Sequence, residues 1–372
     1  MSLVLLTFVG FWLAYSNGAN DNFKGVATLF GSNTLGFRQA LGLAALATLA
    51  GGVASCFLGG MLVQTFNGTG LVPSAWVGSP ELLVSVGAAS AATILLATWL
   101  GMPTSTTHAI TGGLLGAGLS LPEGRFSWTP LAKGFAVPLL VSPLLAIALT
   151  VIVYAMLHSL RSKLGISRET CVCLVDESRQ LATAPNTRAA QQTAGAIPGI
   201  QVGQTAACAE IYRGRCIGVD AQTVVSAIHC ASGAALCFAR ALNDTPKIAA
   251  LLLIAGSELG WGAWGLVVGA MCAGGLLNAR KVALTMSKRI TELNPGQGLT
   301  ASLTTASLVL GASYMGVPVS TTHVSCGSIF GIGVSRGQGR WKTVMQILAA
   351  WLLTLPLAAL LGAIAFSLVR SW

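Results

Sequence analysis

The sequence predicts an all-α polytopic membrane protein, built from two inverted-topology repeats with broken or re-entrant helices and about 10–12 membrane segments. Three observations support this fold class. Of the 372 residues, 53% are apolar and only 9% are charged; long apolar stretches recur along the whole chain; and one six-residue motif occurs twice. A soluble globular domain carries about 25% charged residues, so a water-soluble architecture is excluded.

Ten long segments are rich in apolar or small residues, and several exceed the roughly 20 residues that one helical crossing needs. They cover residues 2–30, 39–63, 82–101, 103–120, 131–160, 222–256, 259–278, 299–315, 318–334 and 343–369. Five lie in each half of the chain. We interpret the first as a transmembrane element and not as a cleaved signal peptide, because Met1–Leu6 has no basic flank.

The formal net charge is +10, and basic residues in a membrane protein chiefly mark the cytoplasmic loops. We place the N-terminus outside. Residues 82–120 and 299–334 are each taken to enter the membrane and return to the same side, either as a re-entrant hairpin or as two full crossings. Fifteen basic residues then lie in the cytoplasm. Three remain outside: Arg125, Lys133 and Arg370. Three more lie within or beside membrane segments: Lys24, Arg240 and Lys247.

The repeated motif, P-x-S-T-T-H, occupies Pro103–His108 and Pro318–His323, and both copies continue into Gly-rich segments. A weaker pairing links Asn20–Lys24 with Asn243–Lys247, both of the form Asn-Asp-x-x-Lys. Each half therefore carries the two elements in the same order. An odd number of crossings in each half orients the halves oppositely, which is the inverted repeat common in secondary transporters.

These patterns divide the chain into a first transmembrane repeat at 1–160, a central polar insert at 161–221 and a second transmembrane repeat at 222–372. The insert has a polar middle from Ala182 to Gln204, and its flanks show the alternation of short strands. Its four cysteines lack the C-x-x-C spacing of zinc sites. We interpret them as reduced and structural, and expect neither a metal nor a cofactor.

Four ionisable residues lie at membrane depth at matched places in the two halves: Asp21, Lys24, Asp244 and Lys247. Each charge there costs on the order of 3 kcal/mol or more, so such residues usually face a cavity, pair with one another and serve function. A purely structural ion pair between residues i and i+3 is the alternative. The duplication at repeat positions favours a functional site.

The P-x-S-T-T-H motif suits the start of a helix, where proline is tolerated and the backbone N–H groups lack intrahelical partners. Two such helix ends facing each other near the bilayer midplane would surround a tetrahedral oxyanion. The hydroxyl donors are Ser105, Thr106, Thr107, Ser320, Thr321 and Thr322. The alternative is that these residues only cap helices and hold helix contacts. His108 and His323 either couple protons to transport or hold their loops by a fixed hydrogen bond.

Three features together resemble the inorganic phosphate transporter family, which also includes bacterial sulfate permeases: the Gly-Ala-Asn-Asp run at Gly18–Asp21, the two P-x-S-T-T-H motifs, and Arg289–Pro295. The resemblance covers nearly the whole chain apart from the insert. It implies an inverted repeat with outside termini, and uptake driven by symport of sodium or protons. It also implies anion contacts from Asp21, Asp244 and the six hydroxyl residues, with Asn20 and Asn243 lining the same centre.

Two departures from the family pattern stand out. The third position after each aspartate, an asparagine in the family that would help to hold a cation, is Lys24 in the first half and Lys247 in the second. An ammonium group can take the place of a sodium ion, so we hypothesise transport that does not need sodium; the coupling ion, H⁺ or Na⁺, stays open. Either lysine can also bind the anion directly as a point charge. The second copy also lacks the Gly-Ala pair.

The expected function is phosphate transport by alternating access, at a cell (inner) membrane with both termini outside and the insert cytoplasmic. The expected partners are inorganic phosphate or sulfate, the lipid bilayer and a second copy in a homodimer; nucleic acid is not expected. A permease for sulfate or another tetrahedral oxyanion is the main alternative. An anion channel, an intramembrane hydrolase and a structural or sensory protein are more remote, since no G-x-S-x-G elbow accompanies Ser105 and His108.

Overall fold

The computed structural model describes residues 3–66, 68–122, 126–167, 170–175, 199–204, 218–253 and 260–371. The first half contains the helices α1 (Leu3–Asp21), α2 (Ala27–Gly31), α3 (Phe37–Leu58), α4 (Gly60–Thr65), α5 (Pro80–Trp99), α6 (Thr106–Leu119), α7 (Trp128–Leu131) and α8 (Val137–Lys163). The second half contains α9 (Ala221–Leu253), α10 (Gly260–Asn278), α11 (Arg280–Leu284), α12 (Pro295–Tyr314), α13 (Thr321–Arg336) and α14 (Trp341–Arg370). Short 3₁₀ turns occupy Asn22–Val26 and Ser74–Trp76, and single π turns occupy Ala132–Ala136 and Thr285–Arg289.

Six helical stretches in the described part of the chain are long and apolar enough to cross a membrane. They are Phe37–Leu58, Pro80–Trp99, Trp128–Lys163, Ala221–Leu253, Gly260–Asn278 and Trp341–Arg370. All ten predicted segments are helical over most of their described length, which confirms a multi-pass membrane protein whose membrane part is helical. The motif helices α6 and α13 have 14 and 16 residues, or about 21 and 24 Å, less than the roughly 30 Å hydrocarbon core.

Large apolar side chains cover the outside of the long helices. Phe57 on α3 is 72% exposed, Leu140 on α8 is 68% exposed and Leu352 on α14 is 75% exposed. Such a surface is unfavourable in water but matches lipid chains. The centre shows the opposite pattern, since many hydroxyl, amide and charged side chains are buried there.

The helices α5 and α12 precede the two P-x-S-T-T-H motifs and have 20 residues each. Each begins at a side-chain N-cap followed by proline, with Ser79 capping α5 and Asn294 capping α12. Each ends at a glycine in the left-handed region, Gly101 with φ 71° and Gly316 with φ 66°, which avoids the steric cost of a Cβ. Two matched turns thus present the motifs as the starts of the following helices.

The motif helices pack closely on long helices of the opposite half. A Cβ on Gly116 of α6 would lie 1.8 Å from the carbonyl oxygen of Ala359 in α14. A Cβ on Gly331 of α13 would lie 3.0 Å from the carbonyl oxygen of Ile147 in α8. Small residues allow this approach between backbones, so each motif is held against the other half.

The chain divides into two compact units, one of residues 1–154 and 229–372 and the other of residues 155–228. The second unit contains the strands β1 (Thr170–Val175), β2 (Gly199–Gln204) and β3 (Gly218–Asp220), in the antiparallel order β2-β1-β3. The strand β2 lies in the polar middle of the insert, outside the flanks whose alternation predicted short strands, and it pairs with β1 along its whole length. The side chains of the insert cysteines, Cys171, Cys173, Cys208 and Cys216, lie outside the described residues.

Candidate functional site

Five of the charged residues that the structure describes are buried, and they form one cluster where the two halves meet. They are Asp21, Lys24, Arg240, Asp244 and Lys247, each at most 2% exposed. The six predicted hydroxyl residues of the motifs are at most 4% exposed as well. The cluster is therefore closed off from its surroundings, and its charges must be satisfied internally.

Lys24 is the cation of the first half. The helix α1 ends at Asp21, and the following 3₁₀ turn places Lys24 beside it. The Lys24 Nζ lies 2.5 Å from Asp21 Oδ1, 2.7 Å from the carbonyl oxygen of Thr104 and 2.5 Å from Thr322 Oγ1. Three oxygen atoms thus accept the three protons of the ammonium group.

Lys247 is the cation of the second half, inside the helix α9. Its Nζ lies 3.2 Å from Asp244 Oδ1, 2.9 Å from Thr107 Oγ1 and 3.1 Å from the carbonyl oxygen of Val319. It also donates to the side-chain oxygen of Asn243. Again one carboxylate, one backbone carbonyl and one threonine hydroxyl surround an ammonium group.

The contacts of the two lysines cross between the halves in a matched way. Thr104 and Val319 hold the second position of each P-x-S-T-T-H motif, and Thr107 and Thr322 hold the fifth. Each lysine therefore binds the carbonyl of its own half and the hydroxyl of the other. The hydroxyl groups of these two threonines also bond to the opposite half: Thr107 Oγ1 donates to Val319 O at 3.2 Å, and Thr322 Oγ1 donates to Thr104 O at 2.5 Å.

The middle threonines of the motifs approach the aspartates. Thr106 Oγ1 lies 3.5 Å from Asp21 Oδ2, and Thr321 Oγ1 lies 3.4 Å from Asp244 Oδ2. These distances are at the outer limit of a hydrogen bond. The second oxygen of each carboxylate is thus weakly held, and these hydroxyl groups are able to turn toward another acceptor.

Ser105 and Ser320 act as N-caps. Ser105 Oγ accepts the backbone N–H of His108 at 3.1 Å, and Ser320 Oγ accepts that of His323 at 3.2 Å. Capping uses the hydroxyl oxygen as acceptor and leaves the hydroxyl proton to be donated. The same bonds mean that Ser105 contacts the backbone of His108, an arrangement without the serine–imidazole bond of a hydrolase.

Asn20 and Asn243 bond to the helices that precede the two motifs. Asn20 Nδ2 donates to Thr98 Oγ1 at 2.9 Å and its Oδ1 accepts the N–H of Thr104 at 3.0 Å. Asn243 Nδ2 donates to Ser313 Oγ at 2.7 Å. Asn20 therefore positions the first motif directly, whereas Asn243 links the helix before the second motif to Lys247.

The rings of His108 and His323, at the starts of the two motif helices, lie next to each other with centroids 4.6 Å apart and planes inclined by 46°. His323 donates from Nδ1 to the carbonyl oxygen of Leu139 at 3.2 Å and stacks on Trp351 with ring centroids 3.8 Å apart. Within the described residues, His108 Nδ1 and His323 Nε2 are buried without a hydrogen-bond partner. The fixed bond of His323 agrees with the structural alternative for that ring.

Sequence reasoning missed two members of the cluster, Asn17 and Arg240. Each lies four residues before an aspartate, Asp21 or Asp244, so they occupy equivalent positions in the two halves. Asn17 Nδ2 donates to Thr106 Oγ1 at 2.8 Å and lies 3.5 Å from both aspartates. The signal available in the sequence was the one-turn spacing from the aspartates, since residues i and i+4 share a helix face.

The described structure is a multi-pass membrane protein with a closed polar centre, in which hydroxyl donors, helix N-termini and ammonium groups converge. This combination suits a small oxyanion. A family model described as the phosphate transporter family matches residues 17–362. The chain belongs to this family, which confirms the resemblance seen in its motifs. The family comprises transporters, so the hydrolase alternative is not retained.

Relatives extend over almost the whole chain. "Inorganic phosphate transporter 2-1, chloroplastic" of Arabidopsis thaliana is 28% identical over 98% of this chain and 71% of that protein. A "Putative phosphate permease" of Haemophilus influenzae is 26% identical over 99% of this chain and 97% of that one. A solved structure titled "The sodium-dependent phosphate transporter" has a TM-score of 0.76, with 22% identity and 99% of both chains covered. That structure supports the fold.

Proposed function

We propose that this protein carries inorganic phosphate across a membrane by alternating access. The observation that carries the proposal is the convergence of both P-x-S-T-T-H helix starts and both Asn-Asp-x-x-Lys elements on one buried cluster. Phosphate is chosen because the chain belongs to the phosphate transporter family. Proteins that transport by alternating access often bind their substrate where two repeats meet at broken helices.

Each predicted site residue has a role in this proposal. Ser105, Thr106 and Thr107, with their counterparts Ser320, Thr321 and Thr322, donate hydroxyl and backbone N–H groups to the anion. Lys24 and Lys247 supply positive charge, and Asp21 and Asp244 hold the lysines. Asn20 positions the first motif, and Asn243 links the helix before the second motif to Lys247. His108 and His323 serve as supporting or coupling residues.

The proposed topology is an inverted repeat with both termini outside and a cytoplasmic insert, in a cell (inner) membrane. The proposed repeats are residues 1–160 and 222–372, separated by the insert at 161–221. The equivalent caps of α5 and α12 and the reciprocal packing of α6 and α13 support this relation. A homodimer is the proposed assembly.

We also propose that sodium is not required. The three oxygens around Lys24 are a carboxylate, a backbone carbonyl and a hydroxyl, which are the hard oxygen ligands that an alkali cation would take. The ammonium group fills such a site permanently. The solved relative's title describes sodium dependence for that protein, and at 22% identity the likeness concerns the fold.

The first experiment measures initial uptake of labelled phosphate into proteoliposomes preloaded with unlabelled phosphate. We expect saturable uptake that Asp21→Asn abolishes. Competition by external sulfate and arsenate identifies the preferred anion: sulfate competing better than phosphate would change the substrate to sulfate. Native protein that takes up neither anion would contradict the proposed function, and non-saturable flux would favour a channel.

The lysine hypothesis has its own test. Native protein should show the same uptake with and without sodium on both sides. Changing Lys24 and Lys247 together to Asn should make the flux depend on sodium, because the two oxygen-lined places then need a free cation. Strict sodium dependence of the native protein would contradict the hypothesis.

A further inference from the structure

We propose that this protein is an anion exchanger, which moves one oxyanion inward only as another moves outward, and that Arg240 enforces the exchange. The inference rests on the proposed function, because it concerns how the same buried site passes through its transport cycle. It follows from the balance of buried charges and from the surroundings of Arg240.

The buried cluster has more cations than carboxylates. Asp21 and Asp244 are the buried carboxylates among the described residues, and Lys24, Lys247 and Arg240 are the buried cations. One positive charge is therefore in excess within the described part of the centre. An uncompensated charge in such surroundings is unfavourable, and the missing negative charge is what a bound oxyanion supplies.

Arg240 is the least compensated of the three cations. Its Nη2 donates to Asn22 Oδ1 at 2.5 Å and to Thr48 Oγ1 at 2.9 Å, and its Nη1 donates to Asn17 Oδ1 at 3.3 Å. These partners are neutral. Its nearest carboxylate oxygen, Asp244 Oδ2, is 3.7 Å away, and Lys247 already pairs with that aspartate. Among the described residues its buried Nε has no hydrogen-bond partner.

Cations attached to the chain change the transport cycle. A carrier that binds free cations releases them together with its substrate, and its charge returns to the starting value. Here Lys24 and Lys247 are each paired with a carboxylate, and the Arg240 guanidinium neither leaves nor loses its proton. The site therefore keeps the excess positive charge of Arg240 after the anion dissociates. Closing the site around that charge is disfavoured, whereas closing it around the loaded anion is not. The protein should therefore switch between its inward-open and outward-open states chiefly while an anion is bound. An anion then moves inward only as another moves outward, which is exchange.

The other half of the chain indicates which variant should relieve the effect. Asn17 takes the position equivalent to Arg240, and its neutral amide fits that place beside Asp21. The change Arg240→Asn copies this arrangement and removes the excess charge. The change Arg240→Lys keeps the charge and serves as the matched control.

The experiment compares two initial rates of labelled phosphate uptake, with the membrane potential clamped by potassium and valinomycin. One set of proteoliposomes contains unlabelled phosphate, and the other contains gluconate. For native protein and for Arg240→Lys we expect the initial rate of uptake into phosphate-loaded vesicles to exceed the rate into gluconate-loaded vesicles by on the order of 100-fold. This is the effect of one unpaired charge in the membrane. For Arg240→Asn we expect this ratio to fall at least tenfold.

Equal rates into the two sets of vesicles by the native protein would overturn exchange. An unchanged ratio in Arg240→Asn would overturn the role of Arg240. A second measurement uses the native protein alone and tests exchange even if the variant does not fold. Efflux of labelled phosphate should accelerate when unlabelled phosphate is added outside the vesicles. An efflux rate that does not change with external phosphate would contradict exchange. Absence of any phosphate flux under both conditions would instead contradict the proposed function.

Discussion

Replacing Asp21 with Asn should destabilise the protein far more than the loss of an exposed ion pair does. The substitution keeps the shape of the side chain and one acceptor oxygen, but it replaces the other oxygen with an NH₂ donor and removes the charge. Lys24 then keeps Thr104 O and Thr322 Oγ1 as acceptors. Neither of these acceptors carries a negative charge, so the ammonium group loses its neutralising partner.

The magnitude follows from burial and distance. The Lys24 Nζ lies 2.5 Å from Asp21 Oδ1, and both side chains are 1% exposed. Removing one partner of a buried ion pair lowers the free energy of unfolding by about 3–5 kcal/mol, because the other charge stays buried without compensation. The ion pair of Arg340 and Glu292 gives a contrast: its atoms are 2.8 Å apart, but the side chains are 49% and 83% exposed. Breaking an exposed pair changes stability by about 0–1 kcal/mol.

The assay is unfolding in detergent micelles, by heat or denaturant, with native protein, Asp21→Asn and Glu292→Gln side by side. A double variant, Asp21→Asn with Lys24→Met, provides an internal control. It should recover much of the stability lost in Asp21→Asn, since it removes the charge left behind, and the difference measures the coupling of the two residues.

Two results would contradict this reasoning. The first is an equal loss of stability in Asp21→Asn and Glu292→Gln, which would mean that Lys24 does not depend on its carboxylate. The second is a double variant as unstable as the single one, because the unpaired charge would then not be the cause of the loss.

Two further predictions use matched positions. Ser105→Ala and Ser320→Ala each remove a helix N-cap, so each should lower the free energy of unfolding by about 1 kcal/mol. Each should also raise the phosphate concentration that gives half-maximal uptake. An effect in only one of the two variants would argue against equivalent roles. Gly116→Ala should destabilise the protein strongly, because the new Cβ would lie 1.8 Å from Ala359 O. Gly311→Ala on α12 should be neutral or stabilising by about 0.5–1 kcal/mol, because a Cβ there would have no neighbouring atom within 4 Å. Thermal unfolding in detergent measures both, and equal effects of the two glycine substitutions would contradict the close packing of α6 on α14.

Much of the centre was predictable because its signals are local. Asp21, Lys24, Asp244 and Lys247 stood out as charges at membrane depth in duplicated elements, and the structure brings all four together. The N-caps at Ser105 and Ser320 also follow from the motif, since serine after proline and before a helix suits that position. These inferences need only the spacing along the chain.

Other features could not be read from spacing. Arg240 looked like an isolated basic residue, and only its contacts with Asn17 and Asn22 place it in the centre. The strand β2 lies in the polar middle of the insert, outside the flanks whose alternation predicted short strands, and its pairing with β1 decided its structure. Both depend on partners that are distant in the sequence.

The sequence by itself determined the membrane class, the ten helical segments, the duplication and the family, because apolar composition, helix caps and motif spacing act within short stretches of chain. The tertiary structure decided which residues of the opposite half complete the surroundings of each buried lysine. Lys24 meets Thr322, 298 positions away, and Lys247 meets Thr107, 140 positions away. These crossed contacts exist because α6 packs on α14 and α13 packs on α8. Contacts across such separations depend on how helices pack together, which no local pattern specifies.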